Sequence, residues 1–586
     1  MAALVSILSL LAGCTGGGDA AAPAAPQTDP PEAQAPAVEP ESARADARFD
    51  TWAQRLMTDA ISPVIALPGD LTEAWVGADL RPANVVVRVP RTLGKPTVSI
   101  SPPENGRDAA SLVRDALNQL RQSGGGTLRV APGEYRFLSA DPRQPELGHL
   151  LLDQLTDVDI QGAGATFMFE RDLDGIHVQD SQRVRIQGAK LRQTRVSSGF
   201  GRMRSVNGQM QLQLDHPLPA GGTVRWVQHI NEDNRTWPQV QTRGIITPSM
   251  PTAVQIDART FTSPEFRALK DGQRVAVKFS YYGARAVYIR DSNKGINEDI
   301  VLDGIAIGSN GGMGVVAKTR GRGIAIQNTS IAADADKPFS TNYDGIHVVA
   351  AAGDILIRGN TIANTGDDQM NLRSIIHKVE ALSSDSVTLA NDARLIRVGD
   401  EVAFFDGEGG YVGRRSIASA PPIGDSDTVR FGLAAGEPMP NAAYARVLNF
   451  TPRRLAIVNN SLSDGVARGI LVQISNGLIQ NNAVRGIPRN AIRLLTSFEP
   501  WLEGSGAFNV RIVGNAIEGG GREPGVSYET GIITALGEIV TARLANTALN
   551  GWIRIEGNRF TAPGAACVVA HNTRNLTQEN NICSGR

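Results

Sequence analysis

The chain is poor in several features that mark common protein classes. Of its 586 residues only 3 are cysteine and 7 histidine, with no Cys-x-x-Cys pair and no Cys/His cluster, which excludes a structural zinc module. Aromatic residues make up 5%, and 58 basic against 59 acidic side chains leave a formal charge of −1. Such a chain has no global field drawing it to nucleic acid or to anionic lipid, so neither is expected as a main partner. Beyond the N-terminus no apolar run approaches the ~18–20 residues of a membrane-spanning helix, which argues against a helical channel. What the chain does have is length and glycine. It is several times the usual single-domain size, and its 62 glycines are about 11% of the residues, above the usual ~7%. Either several packed domains or one elongated repeat array is required.

The N-terminus reads as an address. An apolar run over residues 2–12 ends in Leu11-Ala12-Gly13-Cys14, the pattern of a bacterial lipoprotein signal in which Cys14 is acylated and becomes the new N-terminus. No Lys or Arg precedes the run, and Thr15 after the cysteine is not an inner-membrane retention signal. The expected location is the bacterial cell envelope, lipid-anchored through Cys14 to the outer membrane. Residues 15–47 are rich in Gly, Ala, Pro and Gln and cannot bury enough apolar surface to offset their ordering entropy, so they are expected to form a disordered tether. Residues 48–104 form an N-terminal segment. Cys567 and Cys583, in an exported protein, either pair with each other or remain separate buried thiols.

Past that point one phrase recurs: a short β-branched run followed by Gly or Asn. It appears as Val184-Arg185-Ile186-Gln187-Gly188, Ile300-Val301-Leu302-Asp303-Gly304, Ile355-Leu356-Ile357-Arg358-Gly359-Asn360, Leu455-Ala456-Ile457-Val458-Asn459-Asn460 and in five further copies. The steps from Ile160 to Ile186, Leu302 to Ile326, Ile326 to Ile357 and Ile457 to Ile479 are 26, 24, 31 and 22 residues. A period of 20–30 residues built on short strands means a solenoid. Gly or Asn supplies the left-handed turn, stacked Asn side chains satisfy backbone groups from coil to coil, and Ile, Val and Leu fill one continuous core. The expected fold is all-β, a right-handed parallel β-helix over residues 105–191, 286–375 and 454–586. Residues 108–122 have apolar positions on one helical face and are followed by three glycines, so an amphipathic helix should cap the first coil. The two long gaps, residues 192–285 and 376–453, are strand-like with hairpin turns, and each is expected to be a small inserted β-barrel.

Chemistry concentrates in two phrases one coil apart: Asn342-Tyr343-Asp344-Gly345-Ile346-His347 and Thr365-Gly366-Asp367-Asp368-Gln369-Met370-Asn371. Residues one period apart stack about 4.8 Å from each other, so Asp344, Asp367 and Asp368 should share one wall. Crowded carboxylates raise at least one pKa and supply a protonated acid beside ionised bases, the set that glycosidic cleavage needs. Asp-Gly also makes plain turns, as at Asp464-Gly465. A Ca²⁺ site would call for a denser acidic ladder, so no metal and no cofactor is expected.

These phrases, with Gly312-Met313-Gly314-Val315-Val316, Ala467-Arg468-Gly469-Ile470-Leu471-Val472 and Trp501-Leu502-Glu503-Gly504-Ser505-Gly506, resemble glycoside hydrolase family 110, exo-acting α-1,3-galactosidases on a β-helix. The resemblance runs from about residue 105 to the C-terminus and includes the positions of both inserts. It implies an inverting hydrolase acting on glycans with a terminal α-linked galactose. Asp344, Asp367 and Asp368 would be its catalytic carboxylates, with Asp367 as general acid and the other two holding water. His347, Asn371, Arg468 and Glu503 would contact the sugar, and Trp501 would be a stacking platform. The chain departs from the family at Leu372-Arg373-Ser374, where the family carries His-Gly. Two other readings stand beside this one: a different β-helix polysaccharide hydrolase or lyase, and a carbohydrate-binding lipoprotein without catalysis.

Overall fold

A computed structural model describes residues 41–58, 64–146, 148–238, 245–246, 253–279, 284–292, 294–422, 426–436, 439, 441–504, 506–521, 530–540, 543–562 and 564–584. By its internal contacts the chain divides into residues 1–44 and 45–586. The expected lipidation site, Cys14, and most of the expected tether lie outside the described residues.

The core of the molecule is a right-handed parallel β-helix. Three long sheets run its length. One has 12 strands, from Thr97–Ile100 to Thr573–Glu579. A second has 11, from Gly133–Phe137 to Ile582–Ser584. The third, here the site sheet, also has 11 and includes Val315–Thr319, Ile346–Ala351, Met370–Arg373 and Ile470–Gln473. Successive coils pair in register: Ile160, Ile186, Leu302, Ile326, Ile357, Ile457, Ile479, Ile512 and Ile555 form one column. All nine are buried in a single apolar core, so the recurrent phrase is the inward row of one sheet.

The turn after that sheet is held by an asparagine column. Gly359, Asn459, Asn481, Gly514, Gly557 and Asn580 adopt positive φ, which Gly and Asn tolerate best. The next residues, Asn360, Asn460, Asn482, Asn515, Asn558 and Asn581, then chain together. Each side-chain oxygen from Asn460 onward accepts both the backbone N–H and the Nδ2–H of the preceding asparagine, at 2.9–3.0 Å. The column thereby satisfies buried polar groups that no strand ladder reaches.

Three boundaries differ from the sequence reading. A helix, Glu41–Thr58, begins before the expected end of the tether, because residues 41–47 hold alanines and charged residues that tolerate helix well. Its later residues Phe49, Trp52 and Leu56 pack against the barrel and the last coils. Strand Thr97–Ile100 already pairs in parallel with 127–130, so the solenoid starts ahead of residue 105. The capping helix is Ala110–Gln122 and buries Val113, Ala116, Leu117 and Leu120 on the first coil. Cys567 and Cys583 are joined in a disulfide on the last coils.

The inserts also differ from each other. Strands between His377 and Val447 close into a six-stranded barrel. Among the described residues, the strands between Ser198 and Lys278 form a seven-stranded antiparallel sheet and not the expected barrel. Among those residues its edge strands, Ile245–Ile246 and Val254–Gln255, are two residues long and do not pair with each other. The face carrying Trp226 and Ala276 is covered by Phe339 and Val466 of the coils, so contact with the solenoid replaces closure.

Asn482→Leu should test the column. It removes the acceptor for two N–H groups of Asn460, and each orphaned buried group costs about 1–3 kcal/mol. We expect a loss of at least about 3 kcal/mol in urea unfolding; a loss below about 1 kcal/mol would show the column to be dispensable.

Candidate active site

The site sheet places the acids. Gly345 N–H donates to Asp368 O at 3.1 Å and Ile346 N–H to Gln369 O at 3.0 Å, which sets Asp344 and Asp368 at equivalent positions of adjacent coils. Ahead of them Thr341 and Thr365 bridge in parallel, and Gly366 N–H donates to Thr341 O at 2.8 Å. A Cβ on Gly366 would stand 2.5 Å from Asn342 O, so only glycine allows the two turns to stack this closely. Asp367 and Asp368 precede strand Met370–Arg373, on a bend rather than within it. The strict alternation of side chains along a strand therefore does not separate them. One oxygen from each of Asp344, Asp367 and Asp368 lies within 4.8 Å of the others.

Asp344 and Asp368 are 4% and 3% exposed, while Asp367 is half-buried. Asp368 accepts from Arg468 N–H at 2.9 Å, and the Arg468 guanidinium lies 3.5 Å from its other oxygen. Burial, reinforced by Asp367 and Asp344, still pushes Asp368 up to about 8 against the pull of Arg468. Burial, with the charges of Asp367 and Glu503, likewise holds Asp344 well above the ordinary carboxylate range.

Asp344 is oriented by His347, whose Nδ1 stands 2.5 Å from Asp344 Oδ2. Arg373 Nε–H donates to His347 Nε2 at 3.1 Å. Because that arginine nitrogen can only donate, Nε2 carries the lone pair and Nδ1 the proton. The imidazole is thus neutral, in keeping with a pKa lowered to about 3 by burial and by Arg373. Its contact with Asp344 is a hydrogen bond, not an ion pair. Arg373 also meets Glu503 at 3.1 Å, and Gln473 Nε2–H donates to the other Glu503 oxygen at 2.8 Å.

These contacts redistribute the roles expected from the sequence. His347 has both ring nitrogens engaged by protein groups and Glu503 both oxygens, contacts that orient Asp344 and Arg373. Arg468 is bound to Asp368. Asn371 is paired in register with His347 and keeps a buried side-chain oxygen with no hydrogen-bond donor among the described residues, the kind of group a sugar hydroxyl satisfies. Trp501 is 64% exposed, an open ring. Sequence reasoning passed over Lys278, which comes from the first insert, and Arg373 appeared only as a departure from a family pattern. The three carboxylates are tight enough for a cation, but the positive charge of Arg468 and Lys278 already faces them and the two buried acids already accept protein donors. A separate cleft, open to solvent, is lined by Phe49, Trp52, Phe405, Tyr411 and Phe498. It holds none of these acids.

No family model and no curated protein matches the chain. Among solved structures it is similar to the A-module of a mannuronan C-5 epimerase of Azotobacter vinelandii, with 12% identity over 82% of this chain and 96% of that one at a TM-score of 0.34. It is also similar to an alginate lyase of Paenibacillus sp., with 10% identity over 82% and 99% at 0.34. A third is an endo-xylogalacturonan hydrolase of Aspergillus tubingensis, with 12% identity over 83% and 94% at 0.35. Likeness at this level is one of winding, and the activities of those proteins do not transfer with it.

The electrostatics of Asp368 predict a pH effect. Its folded pKa, about 8, lies above the ~3.9 of an unfolded Asp. As pH rises from about 4 to about 8 the unfolded chain releases a proton that the folded chain retains, so stability falls through that window. Asp368→Asn should therefore gain in Tm relative to wild type at about pH 9 and lose that margin at about pH 4. A margin independent of pH would contradict the raised pKa.

Proposed function

We propose that the chain is a glycoside hydrolase that removes a terminal α-linked galactose, α-1,3-linked as in family 110. The observation that carries this is the convergence of three carboxylates, one of which, Asp368, burial pushes up to about 8 and so keeps protonated near neutral pH. A carboxylic acid that holds its proton at neutral pH can deliver it to a glycosidic oxygen as the bond breaks, while an open carboxylate takes a proton from water. On this reading Asp368 is the proton donor, which reverses the division expected from the sequence. Asp367, the acid that reaches solvent, holds the attacking water, and Asp344, tied to His347, completes its binding. Asn371 and Trp501 remain as the sugar contacts.

Exo action is supported by the walls. The first insert packs on the coils through Trp226, Trp237, Phe339 and Val466, and the barrel packs on the site sheet through Tyr288, Val316 and Val349. A site flanked by inserted sheets suits a chain end better than the middle of a polymer. The sequence of residues 1–14 supports anchoring of the enzyme in the outer membrane through Cys14; incorporation of radiolabelled palmitate into wild type but not Cys14→Ser tests that part.

The acid oxygens stand closer than the ~6.5–9.5 Å between carboxyl groups of most inverting enzymes and nearer the ~5–5.5 Å of retaining ones. Inversion therefore rests on the family resemblance, and the first anomer released decides it. With an aryl α-galactoside followed by proton NMR, we expect β-galactose first; α-galactose would keep the hydrolase and remove the inverting mechanism. Asp344→Asn, Asp367→Asn and Asp368→Asn should each lower kcat by at least about a thousandfold with unchanged circular dichroism. Full activity in any of them would remove that residue from the mechanism. An unsaturated ultraviolet chromophore from a uronan would indicate a lyase instead.

A further inference from the structure

We infer that Lys278 is a positioning residue of this site: delivered by the first insert, its ammonium fixes the turn that carries Asp367 and sets a positive charge against the acids. The inference rests on the hydrolase reading and adds to it a working part outside the solenoid.

Lys278 ends strand Arg274–Lys278 of the inserted sheet. Along that strand Val275 and Val277 enter the insert's own core, whereas Ala276 faces the coils. Alternation puts Lys278 on the same outward side as Ala276. It is 4% exposed. Its Nζ donates to Gly366 O at 2.8 Å, the carbonyl that immediately precedes Asp367. Around it stand three rings, with Nζ at 4.3 Å from the centroid of Trp226, 4.9 Å from Tyr343 and 5.4 Å from Phe339. Trp226 belongs to the insert and the other two to the coils, so the cage exists only when insert and solenoid are docked.

An isolated ammonium away from water is costly by several kcal/mol. One carbonyl and three π faces offset part of that. The rest falls to the negative charges of Asp367 and Asp344, which oppose the effect of burial on the lysine; the balance leaves its pKa lowered to about 8, so it stays charged at neutral pH. Docking alone does not need the charge, since an unbranched apolar side chain would fill the same space.

That contrast defines the test. Lys278→Met keeps the stem and the packing and removes the charge. On the aryl α-galactoside, we expect its kcat to fall about a hundredfold or more, the scale of losing one fixed electrostatic group, with KM within about threefold and Tm close to wild type. Lys278→Arg, which keeps the charge, should exceed Lys278→Met in kcat by about tenfold or more. A kcat within about threefold of wild type in Lys278→Met, a loss matched by a fall in folded protein, or an arginine variant no better than methionine would each overturn the role. If Lys278→Met does not fold, Lys278→Gln is read by the same criteria; if neither folds, the residue is structural and the inference fails. Asp367→Asn is assayed alongside. Its inactivity beside a normal Lys278→Met sinks the lysine alone. No turnover by wild type on any α-galactoside sinks the hydrolase reading and the lysine's role with it.

Discussion

Two backbone hydrogen bonds, Gly345 N–H to Asp368 O and Ile346 N–H to Gln369 O, decide where the acids stand, and they exist because coil follows coil without slippage. Register along the solenoid is held on two sides at once, by the inward aliphatic column and by the asparagine column at the next turn. A slip of one residue would turn each inward aliphatic side chain out and break every rung of the asparagine column. The acids are therefore held by the whole stack, and the local turns need only bring Asp367 to the same side as Asp368. Gly366 does this by letting one turn lie directly on the one before.

Around that fixed point the polar side chains form a relay. Gln473 and Arg373 hold Glu503, Arg373 holds His347, and His347 holds Asp344. On the other side Arg468 holds Asp368 through its backbone as well as its guanidinium. Each link leaves the next with fewer ways to point. Asp368 keeps its proton near neutral pH because burial and the neighbouring carboxylates outweigh the pull of Arg468.

The solenoid was legible because its phrase repeats: nine copies of a β-branched run closed by Gly or Asn leave little else for the chain to do, and their spacing alone put Asp344 opposite Asp367 and Asp368. The closed barrel and the open inserted sheet were not distinguishable, since both read as alternating strands with hairpin turns. The contacts that His347 and Glu503 make with other protein groups were not legible either. A polar residue near an acid looks the same in sequence whether it touches substrate or orients the acid. Lys278 gave no local sign, sitting in the run Val275-Ala276-Val277-Lys278-Phe279 as an ordinary outward position. Only docking shows that outward there means toward Asp367. The early end of the tether was missed because alanine-rich polar sequence serves equally as linker and as helix.

The first excursion has a cost in time during synthesis. Strand Gln182–Gln187 finds its next partner only in Glu298–Asp303, so a nascent chain carries an unfinished sheet edge while more than a hundred intervening residues emerge. Closing so long a loop is only slightly harder than closing a short one, about 0.6 kcal/mol per doubling, but a bare parallel edge is an invitation to wrong partners. An excursion folded into its own sheet spans less distance than an open loop of the same length, which favours return of the next coil to the waiting edge.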